Sequence, residues 1–405
     1  MSVLLAVLIS ITIAYLFGEL AKLCKLPRVV GHLVTGVILG ISPLKAAVFD
    51  EASLDAIGSL ANIGFILLLF FTGLEVNIFK FRSNVKRGFA ISILNTAIPL
   101  LLGFFVSRLF GIDTIPSLII GVTLSVGAVA VSVDVLEELK ILKTRFASAL
   151  ISASAVDDMV ELLVIATVLA IAKLSTLTRG LYSLIFEVSL FIVLILLLKS
   201  IVIPFILKVV EKEGSATSLF TGSMIIAILM ASLSEILGFG SFVGALIAGV
   251  IVRKVLLSGK DRRPWEEHEI AKTMHTITFG FFAPLFFIFI GLKTDFYHNF
   301  NVVFSLIITG VALLGAVVGA ILGGMIVRLS PNNARLNFKE SALLGWGLAA
   351  KGDTELIIAA VALQHNLIDV TLFTAIVFMG IVTTIIAVIM FRINIKRECK
   401  YFNIC

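Results

Sequence analysis

Apolar stretches of about 20 residues recur along almost the whole chain and are separated by short polar segments. A helix of about 20 residues is roughly 30 Å long, which matches the thickness of the hydrocarbon core of a bilayer. The pattern therefore predicts an all-α integral membrane protein of about thirteen transmembrane spans, of which the second and ninth are short. The predicted spans are 2–22, 29–44, 53–76, 87–110, 115–136, 146–172, 182–207, 217–236, 239–257, 272–292, 301–327, 340–362 and 367–391.

Composition and charge agree with this reading. Of the 405 residues 59% are hydrophobic and 14% are charged, whereas a soluble domain is about 45–50% apolar. Twenty-five Lys and Arg residues fall in the segments after odd-numbered spans and five in those after even-numbered spans. The positive-inside rule then predicts a multi-pass protein of the cell (inner) membrane, with its N-terminus outside and its C-terminus in the cytoplasm. The net charge of +6 is a topology signal, and no nucleic-acid partner is expected.

The ends of the chain carry two further expectations. The first span has no basic residue ahead of it and no small-residue cleavage site, so we do not interpret it as a signal peptide. Cys24, Cys399 and Cys405 all map to the predicted cytoplasmic side, where disulfides are not expected.

Two adjacent acids, Asp157 and Asp158, lie near the middle of span six. Twelve residues beyond Arg145 is about 18 Å along a helix, close to the centre of the bilayer. A charged carboxylate costs at least about 2.5–3.5 kcal/mol at that depth, and two neighbours repel, so their proton affinities rise and split. Because Na⁺ and K⁺ prefer oxygen ligands, the pair predicts a site where a cation competes with protons.

Span twelve contains a weak stretch of helix, Gly345–Glu355, with three glycines and three charged residues. One interpretation is a glycine-rich packing face on which Lys351 and Glu355 pair at i, i+4. The other is an interrupted helix whose half-helix ends, including the backbone of Gly352, face an ion. Lys351 lies too deep to reach either interface easily.

Span five offers a weaker counterpart in the stretch Thr123–Ala128. The hydroxyls of Thr123 and Ser125 and the backbone at Gly127 are candidate ion ligands. The two weak stretches lie seven spans apart in opposite halves of the chain. Paired interrupted helices with weak symmetry between halves are typical of the binding site of a secondary transporter.

The order of the motifs resembles one family. The motifs are Leu26-Pro27 followed by Gly36 and Gly40, Gly73-Leu74-Glu75, Ser125 with Val135-Leu136, Val156-Asp157-Asp158, Phe242–Gly249, Pro284–Phe287 with Gly291, and Lys351-Gly352-Asp353. From residue 15 to 390 the chain is similar to monovalent cation:proton antiporters, in the branch that contains NapA-type Na⁺/H⁺ antiporters and Kef-type K⁺/H⁺ systems.

The resemblance implies a NapA/NhaA-like fold with inverted repeats and two interrupted, crossing helices, normally assembled as a homodimer among membrane lipids. The implied parts are scaffold helices 1–3 (1–86), core ion-transport helices 4–6 (87–175), linker helix 7 (176–214), scaffold helices 8–10 (215–298), core helices 11–13 (299–393) and a short cytoplasmic tail (394–405). No nucleotide-sensing domain is expected on this chain.

The resemblance also implies site residues. Asp158 takes the place of the principal cation and proton carboxylate, and Asp157 that of its neighbouring acid. The lysine expected in span eleven falls near Gly315–Gly319, which contains no basic residue. We therefore hypothesise that Lys351 supplies the missing positive charge to Asp157, with Glu161 in the same network.

The implied function is exchange of Na⁺ or Li⁺ for H⁺ by alternating access, serving pH homeostasis and needing no cofactor. The alternative is a K⁺/H⁺ antiporter or a Kef-like K⁺ efflux system. An enzyme is not expected. An intramembrane aspartyl protease also uses two membrane acids, but it needs them on facing helices, and adjacent residues of one helix point about 100° apart.

Overall fold

A computed structural model of the chain is helical throughout the residues that it describes, with no strand among them. These residues are 2–75, 78–127, 129–138, 141, 144, 146–147, 150, 153, 189–190, 193, 196–205, 216–237, 240–258, 272–298, 300–326, 337–352 and 354–398. Spans six and seven fall largely outside these ranges, so the count of thirteen spans stays a prediction.

Fourteen α-helices lie in the described ranges. They are α1 (Val3–Leu23), α2 (Arg28–Gly40), α3 (Ser42–Val48), α4 (Glu51–Glu75), α5 (Ile78–Leu109), α6 (Thr114–Ser125), α7 (Val129–Glu138), α8 (Ala216–Ile236), α9 (Ser241–Ser258), α10 (Ala283–Leu292), α11 (Val302–Ile326), α12 (Phe338–Leu348), α13 (Thr354–Gln364) and α14 (Val370–Glu398). Two π-helical turns, Leu198–Val202 and Thr278–Phe282, lie in spans seven and ten.

Six helical segments of the described ranges are long and apolar enough to cross a membrane, and α2 with α3 would make a seventh span, bent by 91°. One of the six, Lys272–Leu292, joins the second π-helical turn to α10. The bend follows from the local sequence. Ile41 is in an extended conformation after α2, and Pro43 lies in the first turn of α3, where its missing N–H is tolerated. The remaining predicted spans within the described ranges are shorter apolar helices, among them halves of spans five and twelve.

Two boundaries differ most from the sequence prediction. Span four was expected to begin at residue 87, but α5 begins at Ile78, nine residues earlier. No Gly or Pro interrupts residues 78–87, and Lys and Arg are good helix formers, so the basic segment continues the helix. At the other end of the chain α14 runs to Glu398, beyond the expected end at 391, for the same reason.

The chain divides into two compact units. The first comprises Met1–Ile11, Phe49–Val76 and Leu169–Phe289, and the second Thr12–Val48, Asn77–Val168 and Ile290–Cys405. In the first unit α4 packs on α9. In the second unit α5 packs along α6 and α11, and α11 packs along α12 and α14. Both interrupted spans belong to the second unit, and the predicted scaffold and core roles stay predictions.

Candidate functional site

The acids predicted to bind the ion lie outside the described residues. This applies to Asp157, Asp158 and Glu161 alike. Span six is described only near its start, where Phe146, Ala147, Leu150 and Ala153 are buried in a core with α5, α7, α12 and α14. The assignment of the acids therefore stays a prediction. The described part of the site consists of two helix interruptions, called breaks here: one follows Ser125 in span five and the other follows Leu348 in span twelve.

Span five is interrupted where the sequence predicted it. Helix α6 ends at Ser125, Val126 is extended, and α7 begins at Val129. The hydroxyls of Thr123 and Ser125 are buried and donate to carbonyls three residues earlier, at 2.8 and 2.7 Å. A hydroxyl that donates its proton keeps lone pairs on oxygen, so both side chains can still act as cation ligands.

Span twelve is interrupted as well. Helix α12 ends at Leu348 and α13 begins at Thr354. Gly345 and Gly347 remain helical and allow close packing: a Cβ on Gly345 would lie 2.6 Å from the Cα of Val317. Gly345 and Gly347 thus belong to a packing face, and the helix is interrupted after Leu348. That the half-helix ends face an ion stays a prediction.

The two breaks contact each other. A Cβ on Gly127 would lie 2.6 Å from the carbonyl oxygen of Leu348, so only glycine fits there without displacing backbone. Ser132, in the first turn of α7, donates its hydroxyl to the carbonyl of Gly347 at 2.6 Å. The hydrogen bond from Ser132 satisfies one of the carbonyls that the end of α12 leaves without an intrahelical partner.

Lys351 joins the break of span twelve to that of span five. Its side chain is 2% exposed, and its ammonium donates to the carbonyls of Leu124, at 2.7 Å, and Val126. These carbonyls lie at the C-terminal end of α6, where the helix dipole carries partial negative charge. The lysine therefore neutralises the end of the other interrupted span.

Glu355 has a matching position at the other end of the break. It is 1% exposed, lies in the first turn of α13, and accepts a hydrogen bond from the N–H of Gly352 at 2.9 Å. A carboxylate there faces the positive end of the half-helix dipole. The sequence pattern suggests Glu355 only as a partner of Lys351, but an acid two residues after the Gly352-Asp353 pair could have indicated this capping role.

Two glycines of α11, in the stretch where the family resemblance places a lysine, pack closely against α5. A Cβ on Gly315 would lie 3.0 Å from the Cα of Pro99, and one on Gly319 would lie 2.7 Å from the Cα of Asn95. Both positions are thus filled by the backbone of α5. This confirms that the small residues let helices pack closely.

The neighbouring face of α11 reaches the break of span twelve. Ala316 is buried in one cluster with Ala349 and Ala350, the first two residues after α12. The methyl group of alanine cannot supply a charge there. Among the described residues around the break, the positive charge comes from Lys351.

Comparisons with known proteins identify the family of the chain. The family model described as "Sodium/hydrogen exchanger, transmembrane" matches residues 7–396. The chain is 27% identical to a Na⁺/H⁺ antiporter of Enterococcus hirae over 397 residues, which is 98% of each protein. It is 28% identical to the Na⁺/H⁺-K⁺ antiporter GerN of Bacillus cereus over 386 residues, 95% of this chain and 94% of GerN.

A solved structure shows the same fold. The sodium proton antiporter MjNhaP1 from Methanocaldococcus jannaschii, at pH 8, superposes with a TM-score of 0.65. The match covers 97% of this chain and 100% of that one, at 17% sequence identity. The likeness confirms the predicted fold class, and the family match confirms the predicted transporter class over an enzyme. On the strength of the match to residues 7–396, this chain belongs to the sodium/hydrogen exchanger family of membrane antiporters.

Proposed function

We propose that this chain exchanges Na⁺ or Li⁺ for H⁺ across the membrane by alternating access, without a cofactor. The observation that carries the proposal is the buried ammonium of Lys351, held on the carbonyls that end α6 where the two breaks meet. A buried charge shared between two interrupted helices is a costly structural element, and intramembrane charges of this kind mark ion pathways.

Asp158 is the proposed exchange site, with Asp157 as its neighbour. A buried carboxylate has a raised proton affinity and binds either a proton or a cation. Na⁺ and Li⁺ are hard cations that prefer oxygen ligands. The hydroxyl oxygens of Thr123 and Ser125 and the carbonyls exposed by the breaks could complete the coordination shell.

Lys351 is the proposed charge partner of Asp157, with Glu161 in the same network. Two observations support this assignment. The ammonium of Lys351 is buried and is held where the two breaks meet. In addition, α11 presents Ala316 to the break and no base.

A K⁺/H⁺ antiporter is the second candidate. One observation favours it: the name of the relative GerN includes K⁺ beside Na⁺. The name of the Enterococcus hirae relative includes Na⁺ and H⁺ alone, and for that reason Na⁺ stands first here.

Purified protein in proteoliposomes tests the proposal. An imposed pH gradient should drive proton movement on addition of Na⁺ or Li⁺, and less on addition of K⁺. Asp158→Asn should abolish the response, while Asp55→Asn, which changes an exposed acid on α4, should not. Exchange retained in Asp158→Asn would refute the site, and a response led by K⁺ would favour the second candidate. Cation flux without proton coupling would indicate a channel-like efflux system.

We also propose the orientation of the protein in the membrane and its oligomeric state. The alternation of basic residues supports insertion in the cell membrane with the N-terminus outside and the C-terminus in the cytoplasm. Labelling of Cys24 and of Cys405 from one side of sealed vesicles tests the predicted cytoplasmic side. The homodimer implied by the family resemblance is a proposal that the mass of the detergent-solubilised protein tests.

A further inference from the structure

Helix α14 contacts the break of span twelve through Thr384. The hydroxyl of this buried residue lies 2.7 Å from the carbonyl oxygen of Lys351, 33 residues away in the sequence. It lies equally far, 2.7 Å, from the carbonyl of Gly380 in its own helix. The carbonyl of Lys351 falls between α12 and α13, so the hydroxyl of Thr384 ties unwound backbone to a continuous helix.

One turn earlier on the same face of α14, Gly380 lies against Glu355. A Cβ on Gly380 would be 3.2 Å from Oε1 of that carboxylate, a distance that requires the neighbour to shift. Residues four apart on a helix share a face. Among the described residues, Thr384 therefore hydrogen-bonds to the backbone of Lys351, and Gly380 leaves space for the carboxylate of Glu355.

We propose that Thr384 and Gly380 form a seat on α14 that positions the break of span twelve and thereby sets the affinity for the transported cation. Thr384 is a positioning residue: it holds the backbone from which the Lys351 side chain extends to the carbonyls of Leu124 and Val126. Gly380 leaves room for Glu355 to cap the start of α13. The inference rests on the proposed exchange function.

The apparent affinity depends on the fraction of molecules whose site is ready to bind the cation. Without the bond to Thr384 the unwound segment gains alternative arrangements, and the ready fraction falls. The apparent dissociation constant rises in inverse proportion to that fraction. The loss of one buried hydrogen bond corresponds to about a 3- to 10-fold change.

The chain provides a matched control next to the seat. Thr383 is also fully buried, but its hydroxyl bonds only to Met379 and Gly380 of its own helix among the described contacts. Thr384→Val and Thr383→Val remove the same atoms from the same helix. Thr384→Ser restores the hydroxyl without the methyl group.

The experiment measures Na⁺-driven proton exchange in proteoliposomes as a function of Na⁺ concentration. Thr384→Val should raise the apparent KM for Na⁺ about 3- to 10-fold while the rate at saturating Na⁺ changes less than about twofold. Thr384→Ser and Thr383→Val should keep the KM of the wild type. An equal KM in the two valine variants, or no rescue by serine, overturns the proposal.

A second measurement does not depend on transport. Hydrogen–deuterium exchange of the peptide that covers 349–356 should be faster in Thr384→Val than in the wild type or Thr383→Val. Gly380→Ala should act in the same direction with a smaller effect, because it displaces the carboxylate of Glu355. Unchanged exchange in Thr384→Val refutes the seat, and unchanged exchange in Gly380→Ala removes that residue from it. A wild type that moves no protons would refute the proposed function instead.

Discussion

The two interrupted spans differ in the side chains that their breaks contain. The break of span five contains Val126 and Gly127 and no charged group among its described residues. The break of span twelve contains Lys351 and is followed by Glu355, both buried. The carbonyl end of α6 receives a cation from the other span, whereas the carbonyl end of α12 receives a neutral hydroxyl from Ser132.

This difference shows that one charged break can serve two interrupted helices. Each half-helix end carries about half an elementary charge, so one ammonium can compensate the end of a neighbouring helix. Because Lys351 supplies that charge from span twelve, the break of span five needs no charged residue of its own. Gly127 stands there instead and lets the backbone approach Leu348 closely. Substitutions should therefore cost most at the shared charge, less at the close backbone contact and least at the neutral bond.

Replacing the shared charge should have the largest effect. Lys351→Met keeps the length of the side chain but leaves the carbonyls of Leu124 and Val126 without their cation. A buried acceptor that loses its donor costs about 1–3 kcal/mol, and here two carbonyls lose theirs at once. We expect no measurable exchange in proteoliposomes and a clearly lower midpoint of thermal unfolding in detergent.

Two variants make this result specific. Lys396→Met changes an exposed lysine near the end of α14 and should behave like the wild type. Lys351→Arg keeps the charge and should retain part of the exchange activity, although the guanidinium group is larger and planar. Wild-type exchange in Lys351→Met would show that the two breaks do not depend on a common charge.

The close contact between the breaks should give the next largest effect. In Gly127→Ala the new methyl group would lie 2.6 Å from the carbonyl oxygen of Leu348, so the backbone of one break must move. Overpacking of this kind costs about 1–3 kcal/mol. The free energy of unfolding and the exchange rate should both fall.

Gly310 of α11 is the control for that change. A Cβ at Gly310 meets nothing within 4 Å, so Gly310→Ala should be neutral or stabilising by up to about 1 kcal/mol. Equal stability of the two alanine variants would mean that the breaks can separate without cost.

The positions of the breaks could be predicted from sequence because they depend on local properties. Lys351 is a charge at membrane depth, and the glycines around it weaken a helix, so an interruption near residue 350 followed directly. The extent of the interruption could not be predicted. Gly345 and Gly347 stay helical because Val317 of α11 and Leu150 of span six pack against them, which is tertiary information.

The hydrogen-bond partners of the breaks likewise could not be predicted from the sequence. Ser132 and Thr384 are ordinary hydroxyl residues of apolar helices, and most such hydroxyls bond back to their own helix. Their distant acceptors, Gly347 and Lys351, come within reach only when separate helices pack together. The role of Lys351 as a cap of α6 also required the spatial meeting of spans far apart in the chain.

Neutralising Glu355 should have a moderate effect that separates its charge from its hydrogen bond. Glu355→Gln keeps an oxygen that can accept from the N–H of Gly352 but loses the charge at the start of α13. The helix-dipole contribution corresponds to about 0.3–2 kcal/mol. The midpoint temperature of unfolding should fall by a few degrees in Glu355→Gln. It should fall further in Glu355→Ala, which also loses the hydrogen-bond acceptor. If both variants unfold at the same temperature, the lost hydrogen bond carries none of the effect.

The smallest effect should come from Ser132, whose hydroxyl is the neutral counterpart of Lys351. Ser132→Ala removes one buried hydrogen bond to the carbonyl of Gly347, a loss of about 0.5–1.5 kcal/mol. Ser107→Ala is the matched control, because the hydroxyl of this buried serine bonds to the carbonyl of Gly103 in its own helix. We expect Ser132→Ala to be the less stable variant in denaturant unfolding, and to retain exchange that Lys351→Met lacks. If it instead lost as much activity as Lys351→Met, the neutral and the charged cap would be equivalent, and the asymmetry between the two breaks would have no functional meaning.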